Sequence, residues 1–404
     1  MDVRRLVFVV VGIGQIAVAH ADPADDDVAP AADAAAKPDK PPTPPPESKP
    51  SAPASAPRFQ WQPFGFLRLQ YAIVQNDPNV AFVGRDDGFT LQNARIGIIG
   101  RYQRRVAFVL SIDGAVDERA QINVPDGKLR VGLRDAYLDV GLGDSLPYNA
   151  TSSSLLVRGG FFETWIEPDA QVPDTTREFV DRPIESRGVR ATEGFQTPGL
   201  TPGRSLGAAF RIAPPDKPTG IAGGIEVAVQ NGADEFASNN DNDKPAVSGA
   251  GMLRFPNGSH LVAGVRYNPR SVGALPFRQD EDDIQGSAGV RVVAGPVAIG
   301  GGVVFVRTSF PTTGGPVQNA YGGHAQLMIG VGSAAMPISF GYRFGILDPS
   351  SLIVTDRVIE HTIGVVLSVP RYFMRFQLQV THVLEQAERE LSNSRVQLAA
   401  EVSL

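Results

Sequence analysis

"RYFMRFQLQV", residues 371–380, divides by parity. Arg371, Phe373, Arg375, Gln377 and Gln379 form one set, and Tyr372, Met374, Phe376, Leu378 and Val380 the other. A period of two puts the sets on opposite faces of a strand. The even face is apolar throughout and the odd face carries two arginines. The fold turns on whether that apolar face meets a protein core or lipid.

The connections between strands decide it. Alternation and turn chemistry mark about sixteen strands. They start near Gln62, Phe89, Val106, Leu129, Leu155, Ser205, Ile221 and Val247. The rest start near Leu261, Ile284, Val297, Ala320, Pro337, Val358, Arg371 and Ser394. Long segments such as "QNDPNVAFVGRDDG" and "NPRSVGALPFRQDEDD" take turns with "RYQRR", "PNGS", "AGP" and "VPR". Short turns at one end and long loops at the other are how an outer-membrane barrel is built, and a soluble sandwich has no reason to keep that asymmetry. The even face of residues 371–380 is therefore expected to meet lipid. Leu67, Leu69, Tyr71 and Ile73 repeat the pattern against Arg68 and Gln70, as do Val396, Leu398, Ala400 and Val402 against Arg395, Gln397 and Glu401. The polar set would face a water-filled channel. Trp61, Tyr137, Tyr267, Tyr342 and Tyr372, near strand ends, would form interfacial girdles.

Arg4 and Arg5, an apolar run from Leu6, and Ala19-His20-Ala21 have the order of a cleavable secretory signal, residues 1–21. Residues 22–57 hold eleven of the 33 prolines and no aromatic residue, the composition of an extended, disordered tether. The barrel is expected over residues 58–404. No later stretch offers the ~18 unbroken apolar residues of a helical span. With no cysteine in the chain, disulfides, Cys zinc sites and a lipidated N-terminal cysteine are excluded.

"GFTLQNARIGIIGRYQRRVAFVLSIDGA", "LRDAYLDVGL", "LLVRGGFFETWIEPDAQVPDTTREFVDRPIESRGV" and "VAVQNGADEFASNNDNDKPAVSGAGMLRFP" follow in this order. Together, over Phe89 to Pro256, they resemble the phosphate-selective porin family (the O/P type) of Gram-negative outer membranes. The resemblance implies an all-β, transmembrane antiparallel barrel of sixteen strands, often trimeric, whose long third extracellular loop folds into the pore. By position that loop is Thr164 to Arg204. Its candidate constriction residues are Glu167, Asp169, Asp174, Arg177, Glu178, Asp181, Arg182, Glu185, Arg187 and Arg190. Two features depart from the family. The chain finishes on Leu404 rather than on the aromatic residue read by the barrel assembly machinery, and the only barrel lysines, Lys128, Lys217 and Lys244, fall in loops or turns.

Arg68, Arg95, Arg158, Arg266, Arg291, Arg343, Arg371 and Arg375 fall on the inferred inner face as pore-lining candidates. A guanidinium fork suits phosphate and carboxylate. Equally, these arginines can pair with Asp113, Asp135, Asp139 and Glu360 and brace the wall, and an arginine so used steers no anion. Between Thr164 and Arg204 seven acids face five arginines. If that segment is the constriction, only mild ion preference is expected, with no block by millimolar phosphate.

Catalysis is not expected. Of His260, His324, His361 and His382, only His260 adjoins a serine, Ser259, at the "PNGS" turn. Nor is a metal: Asp241 and Asp243 lack the glycine and closing glutamate of a calcium loop. The expected reading is a passive porin for small hydrophilic solutes, with no cofactor. Its expected partners are outer-membrane lipid, lipopolysaccharide, the assembly machinery and a homotrimer, and nucleic acid is not among them. A barrel enzyme and a structural tether between outer membrane and cell wall are the alternatives.

Overall fold

The computed structural model describes residues 59–404, apart from 86, 104, 116–130, 144–146, 148–151, 233–241, 273–277 and 387–389. The expected signal (1–21) and tether (22–57), with Lys128 and Asp241, lie outside the described residues.

Sixteen strands close on themselves, each antiparallel to its sequence neighbours, with the first beside the last. The first four are β1 (Phe59–Val74), β2 (Gly88–Tyr102), β3 (Val106–Asp113) and β4 (Gly132–Gly141). Next come β5 (Ser154–Glu163), β6 (Arg204–Ala213), β7 (Ala222–Gln230) and β8 (Ala246–Arg254). The second half begins with β9 (His260–Val272), β10 (Gln279–Ala294), β11 (Val297–Ser309) and β12 (Gln318–Ser333). It ends with β13 (Met336–Asp348), β14 (Val358–Val369), β15 (Met374–Glu385) and β16 (Arg395–Ser403). The connections alternate: 255–259, 295–296 and 334–335 are tight turns, whereas 164–203 and 349–357 are loops.

Alternation fixes which face each residue takes. On β1, Leu67, Leu69, Tyr71 and Ile73 are outside while Phe66, Arg68 and Gln70 are buried inside. Val396, Leu398 and Val402 on β16 and Leu378 and Val380 on β15 continue the outer band. Closure leaves no sheet edge, so every strand is paired on both sides, as hydrocarbon requires. With apolar residues outside and polar ones inside, this is a transmembrane β-barrel. At the seam, Phe66–Val74 pair with Arg395–Ser403.

Two expectations are corrected. In "RYFMRFQLQV" the strand begins only at Met374. Pro370–Tyr372 form a one-turn 3-10 helix and Phe373 takes φ 53. Arg371 therefore stands exposed in a short turn and not on the lumen wall. Proline at the start of that turn supplies no strand donor, and parity alone does not register the reversal. Tyr137 points inward, on the same face of β4 as the buried Asp139 two residues on. Its ring packs with Phe162, Ala209 and Ala228.

Candidate functional site

The longest described connection, 164–203 between β5 and β6, does not project from the barrel end; it lies inside. Short elements shape it: 3-10 turns at Pro168–Gln171 and Asp174–Thr176, and a helical turn, α1 (Ile184–Arg187). Gly188 ends α1 with φ 74, and Val189 then bridges back to Thr197. Phe179, Val180, Ile184 and Val189 are buried, Ile184 against Leu347 of β13.

The wall is shaped to receive the loop. Where it approaches, inward positions are glycine. A methyl group on Gly341 or Gly364 would come within 2.9 or 3.1 Å of the Phe179 ring. On Gly345 it would lie 3.0 Å from Ile184, and on Gly322 2.6 Å from Glu185 Cβ. Gly289 and Gly302 seat Pro168 in the same way. Real Cβ contacts are longer, so these glycines form sockets that any side chain would fill.

The wall arginines and glutamines then grip the loop's backbone. Arg68 (β1) and Arg375 (β15) both donate to the Asp174 carbonyl, at 2.5 and 3.1 Å. Arg375 and Gln377 donate to the Arg177 carbonyl, each at 2.9 Å. Arg343 (β13) donates to the carbonyls of Asp181 and Arg182 at 2.9 and 3.3 Å, with its guanidinium 4.6 Å from the Phe179 ring centre. Gln92 donates to Val180 O at 3.1 Å, and Val180 N donates to Gln379 at 2.9 Å.

All seven loop carboxylates have a basic partner. Asp174 meets Arg95 at 2.7 Å, Arg177 at 2.5 Å, Arg182 at 3.0 Å and Arg134 at 3.9 Å. Asp181 pairs with Arg190 and Arg395, and Glu193 with Arg187 at 2.7 Å and Arg190 at 3.0 Å. Arg187 and Arg395 share Glu360 at 2.6 and 2.8 Å. Glu167 and Asp169 take Arg182 at 3.3 and 3.1 Å, Glu178 takes Arg291, and Glu185 takes His324. Burial alone would raise these carboxyls. The surrounding guanidiniums outweigh it, holding Asp174 well below the carboxylate range and Glu193 down to about 2. Burial opposes the charge of Arg182 and Arg187 too, but the carboxylates around them raise both above the ordinary arginine range.

The loop's acid excess therefore does not stand alone: Arg95, Arg134, Arg291 and Arg395 of the wall meet it at contact distance. Nor is the wall bathed by a wide aqueous column. Arg68, Glu226, Arg343, Thr362 and Gln397 all face inward and are buried.

The remaining candidates lie elsewhere on the wall. Arg158 binds Asp139 through two bonds of 2.8 Å and lies 3.7 Å from the Tyr137 ring centre. Arg95 also reaches Asp113 at 3.4 Å, and Arg204 reaches Asp135 at 2.9 Å. Arg266 is inward on β9. Arg134, Arg211 and Arg395 were not among the candidates. Arg211 pairs with Glu226, whose other oxygen accepts from Trp165 N at 2.6 Å. Parity marks Arg395, which alternates with Val396 beside Gln397 and Glu401. Ser259 Oγ accepts from Val293 N at 2.9 Å, and His361 and His382 face each other on the outer surface.

No family model matches the chain, and no curated protein matches it. Solved structures share its fold. An anion-selective porin from Comamonas acidovorans superposes with TM-score 0.56 at 13% identity, covering 86% of this chain and 100% of that one. The outer membrane channel DcaP of Acinetobacter baumannii gives 0.56 at 11%, covering 86% and 97%. The trimer form of OmpT, an outer membrane protein of Vibrio cholerae, gives 0.54 at 11%, covering 86% and 100%.

Proposed function

We propose that the chain is a passive channel of the bacterial outer membrane, a porin for small hydrophilic solutes and ions. The observation that carries it is the 164–203 loop seated inside a closed sixteen-stranded barrel and braced to its wall. A purely structural barrel needs no polar interior or inserted loop, whereas a diffusion channel uses a polar interior, and a loop seated in it narrows the cross-section. The Comamonas neighbour is described as an anion-selective porin and the Acinetobacter neighbour as an outer membrane channel, which supports the same reading.

The finer type is the phosphate-selective one, on the resemblance over residues 89–256. Selectivity in this chain is mild, because the charges at the loop are paired with one another. The assembly is a trimer, by analogy with the trimer form of the Vibrio cholerae protein. Outer-membrane lipid, lipopolysaccharide and the assembly machinery are its other partners, and residues 22–57 are its periplasmic tether. It carries out no chemistry on its solutes.

Purified protein in planar bilayers tests this. The expected result is stepwise conductance of small unit size, a small reversal potential in a potassium chloride gradient and no block by millimolar phosphate. Absence of conductance would return the structural reading, and hydrolytic activity the enzyme reading.

A further inference from the structure

Among the described residues, every buried lumen-facing arginine but one grips a carboxylate or a backbone carbonyl. The exception is Arg266 on β9, 6% exposed, which makes no hydrogen bond or ion pair and whose Nε is buried without a partner. Two neighbours share its condition. Ser248 of β8 stands directly across from Arg266 in the strand register, and Asn268 lies two residues further along the same face. Both are 7% exposed, neither side chain has a hydrogen-bond partner among the described residues, and Asn268 Oδ1 is buried and unsatisfied.

Asp283 on β10 acts on Arg266 electrostatically. Its oxygens are already taken by Arg270 Nε at 3.0 Å and Thr308 Oγ1 at 2.6 Å. Gln285, paired with Arg266 on the other side, spends its amide on the Leu200 carbonyl at 3.0 Å. The loop therefore borders this patch without filling its hydrogen-bonding capacity. Buried polar groups are ordinarily satisfied, and a buried unpaired guanidinium is costly.

We infer that Ser248, Arg266 and Asn268 form a stopping place for a small oxyanion, a carboxylate or a phosphate, on a solute path along the wall of β8 and β9. The inference rests on the channel reading. A guanidinium fork takes two oxygens of such an anion, and the Ser248 hydroxyl adds a donor. Hydrogen phosphate also carries an O–H for Asn268 Oδ1, which a carboxylate lacks. Elsewhere the arginines hold the loop, so this patch supplies the recognition that the constriction does not.

The test compares wild type, Arg266→Gln and Ser248→Asp in planar bilayers across a potassium chloride gradient. Ser248→Asp keeps the arginine and sets a carboxylate opposite it, so it serves even where Arg266→Gln fails to assemble. Wild type should show a mild anion preference that falls about fivefold in either variant, part of the full weight of a charge-assisted hydrogen bond because the path is hydrated. Acetate or inorganic phosphate, on the order of tens of millimolar, should reduce wild-type chloride current and leave the variants unaffected. Stronger inhibition by phosphate assigns the hydroxyl-bearing anion, and stronger inhibition by acetate the carboxylate. Variants that keep the wild-type reversal potential and inhibition overturn the inference while the channel stands. A wild type that does not conduct sinks the channel reading itself, and the inference with it.

Discussion

Replacing Gly322 by leucine should unseat one half of the loop and leave the barrel intact. The new Cβ would lie 2.6 Å from Glu185 Cβ, 3.3 Å from its Cα and 3.0 Å from the Ile346 carbonyl oxygen. Both sides are backbone or close to it, so α1 must move. Overpacking of this kind costs up to ~3 kcal/mol. The burial of Ile184, which holds α1 down, contributes about 2 kcal/mol. The Arg187–Glu360 and Glu185–His324 contacts add to that hold, but a swing of ~3 kcal/mol changes the ratio of seated to unseated α1 about a hundredfold whatever its starting value. The clamps on Asp174 and Arg177 come from β1 and β15 and should stay closed. Because the chain has no cysteine, Ser186→Cys, buried within α1, reports directly. Its maleimide labelling should accelerate by about the same factor, and unitary conductance should rise. Gly286→Leu is the control, since nothing lies within 4 Å of its Cβ position. Unchanged labelling of the introduced thiol in a heat-resistant Gly322→Leu barrel would show that the socket does not hold the loop.

Two further outcomes follow from orientation and charge. Cysteines at Asp282 and Ser351, at the long-loop end, should label from outside intact cells while one at Asn257, in the β8–β9 turn, should not; equal labelling reverses the topology. The loop should also resist acid. Asp174, Asp181 and Glu193 have depressed pKa values in the folded state, so their stabilisation is complete above the ordinary carboxylate range and lost as pH falls through the folded values. For Glu193, lowered from 4.5 to about 2, the contribution is about 3 kcal/mol. With Trp61→Phe leaving Trp165 as reporter, loop fluorescence should hold steady to about pH 3 and change near pH 2. A transition centred near pH 4 would contradict the paired network.

The strands were legible because a period of two acts over the whole wall: expected starts near Phe89, Val106, Val247 and Val358 fall within a residue of those observed. Parity failed where the chain departs from that period, at the Pro370 turn that carries Arg371 outside; Tyr137 was misplaced for the opposite reason, since its parity with Asp139 puts it inside. The loop's place inside followed from resemblance, since nothing in 164–203 alone distinguishes an inserted loop from a projecting one. The sockets were invisible for another reason. Gly322 or Gly345 in a strand reads as weak propensity, and only the approach of Glu185 or Ile184 gives it meaning. The partners of the arginines were not legible, because ion pairs such as Arg187–Glu360 link residues far apart in the chain.

The seam bears on the order of assembly. Arg68 comes from the first strand, Arg375 from the fifteenth and Glu401 from the sixteenth; the two arginines share the Glu401 carboxylate and both hold the carbonyl of Asp174, in mid-chain. The first and last strands meet only when the whole chain has been laid down, and the keystone between them is a loop made half-way through synthesis. Ring closure and the seating of Asp174 thus draw on the same two guanidiniums. A barrel that shut before the loop arrived would pair Arg68 and Arg375 with Glu401 but leave both without the Asp174 carbonyl, and a loop that arrived before closure would find the two guanidiniums not yet brought together. Lesions in the inserted segment should therefore appear as assembly failures at the seam.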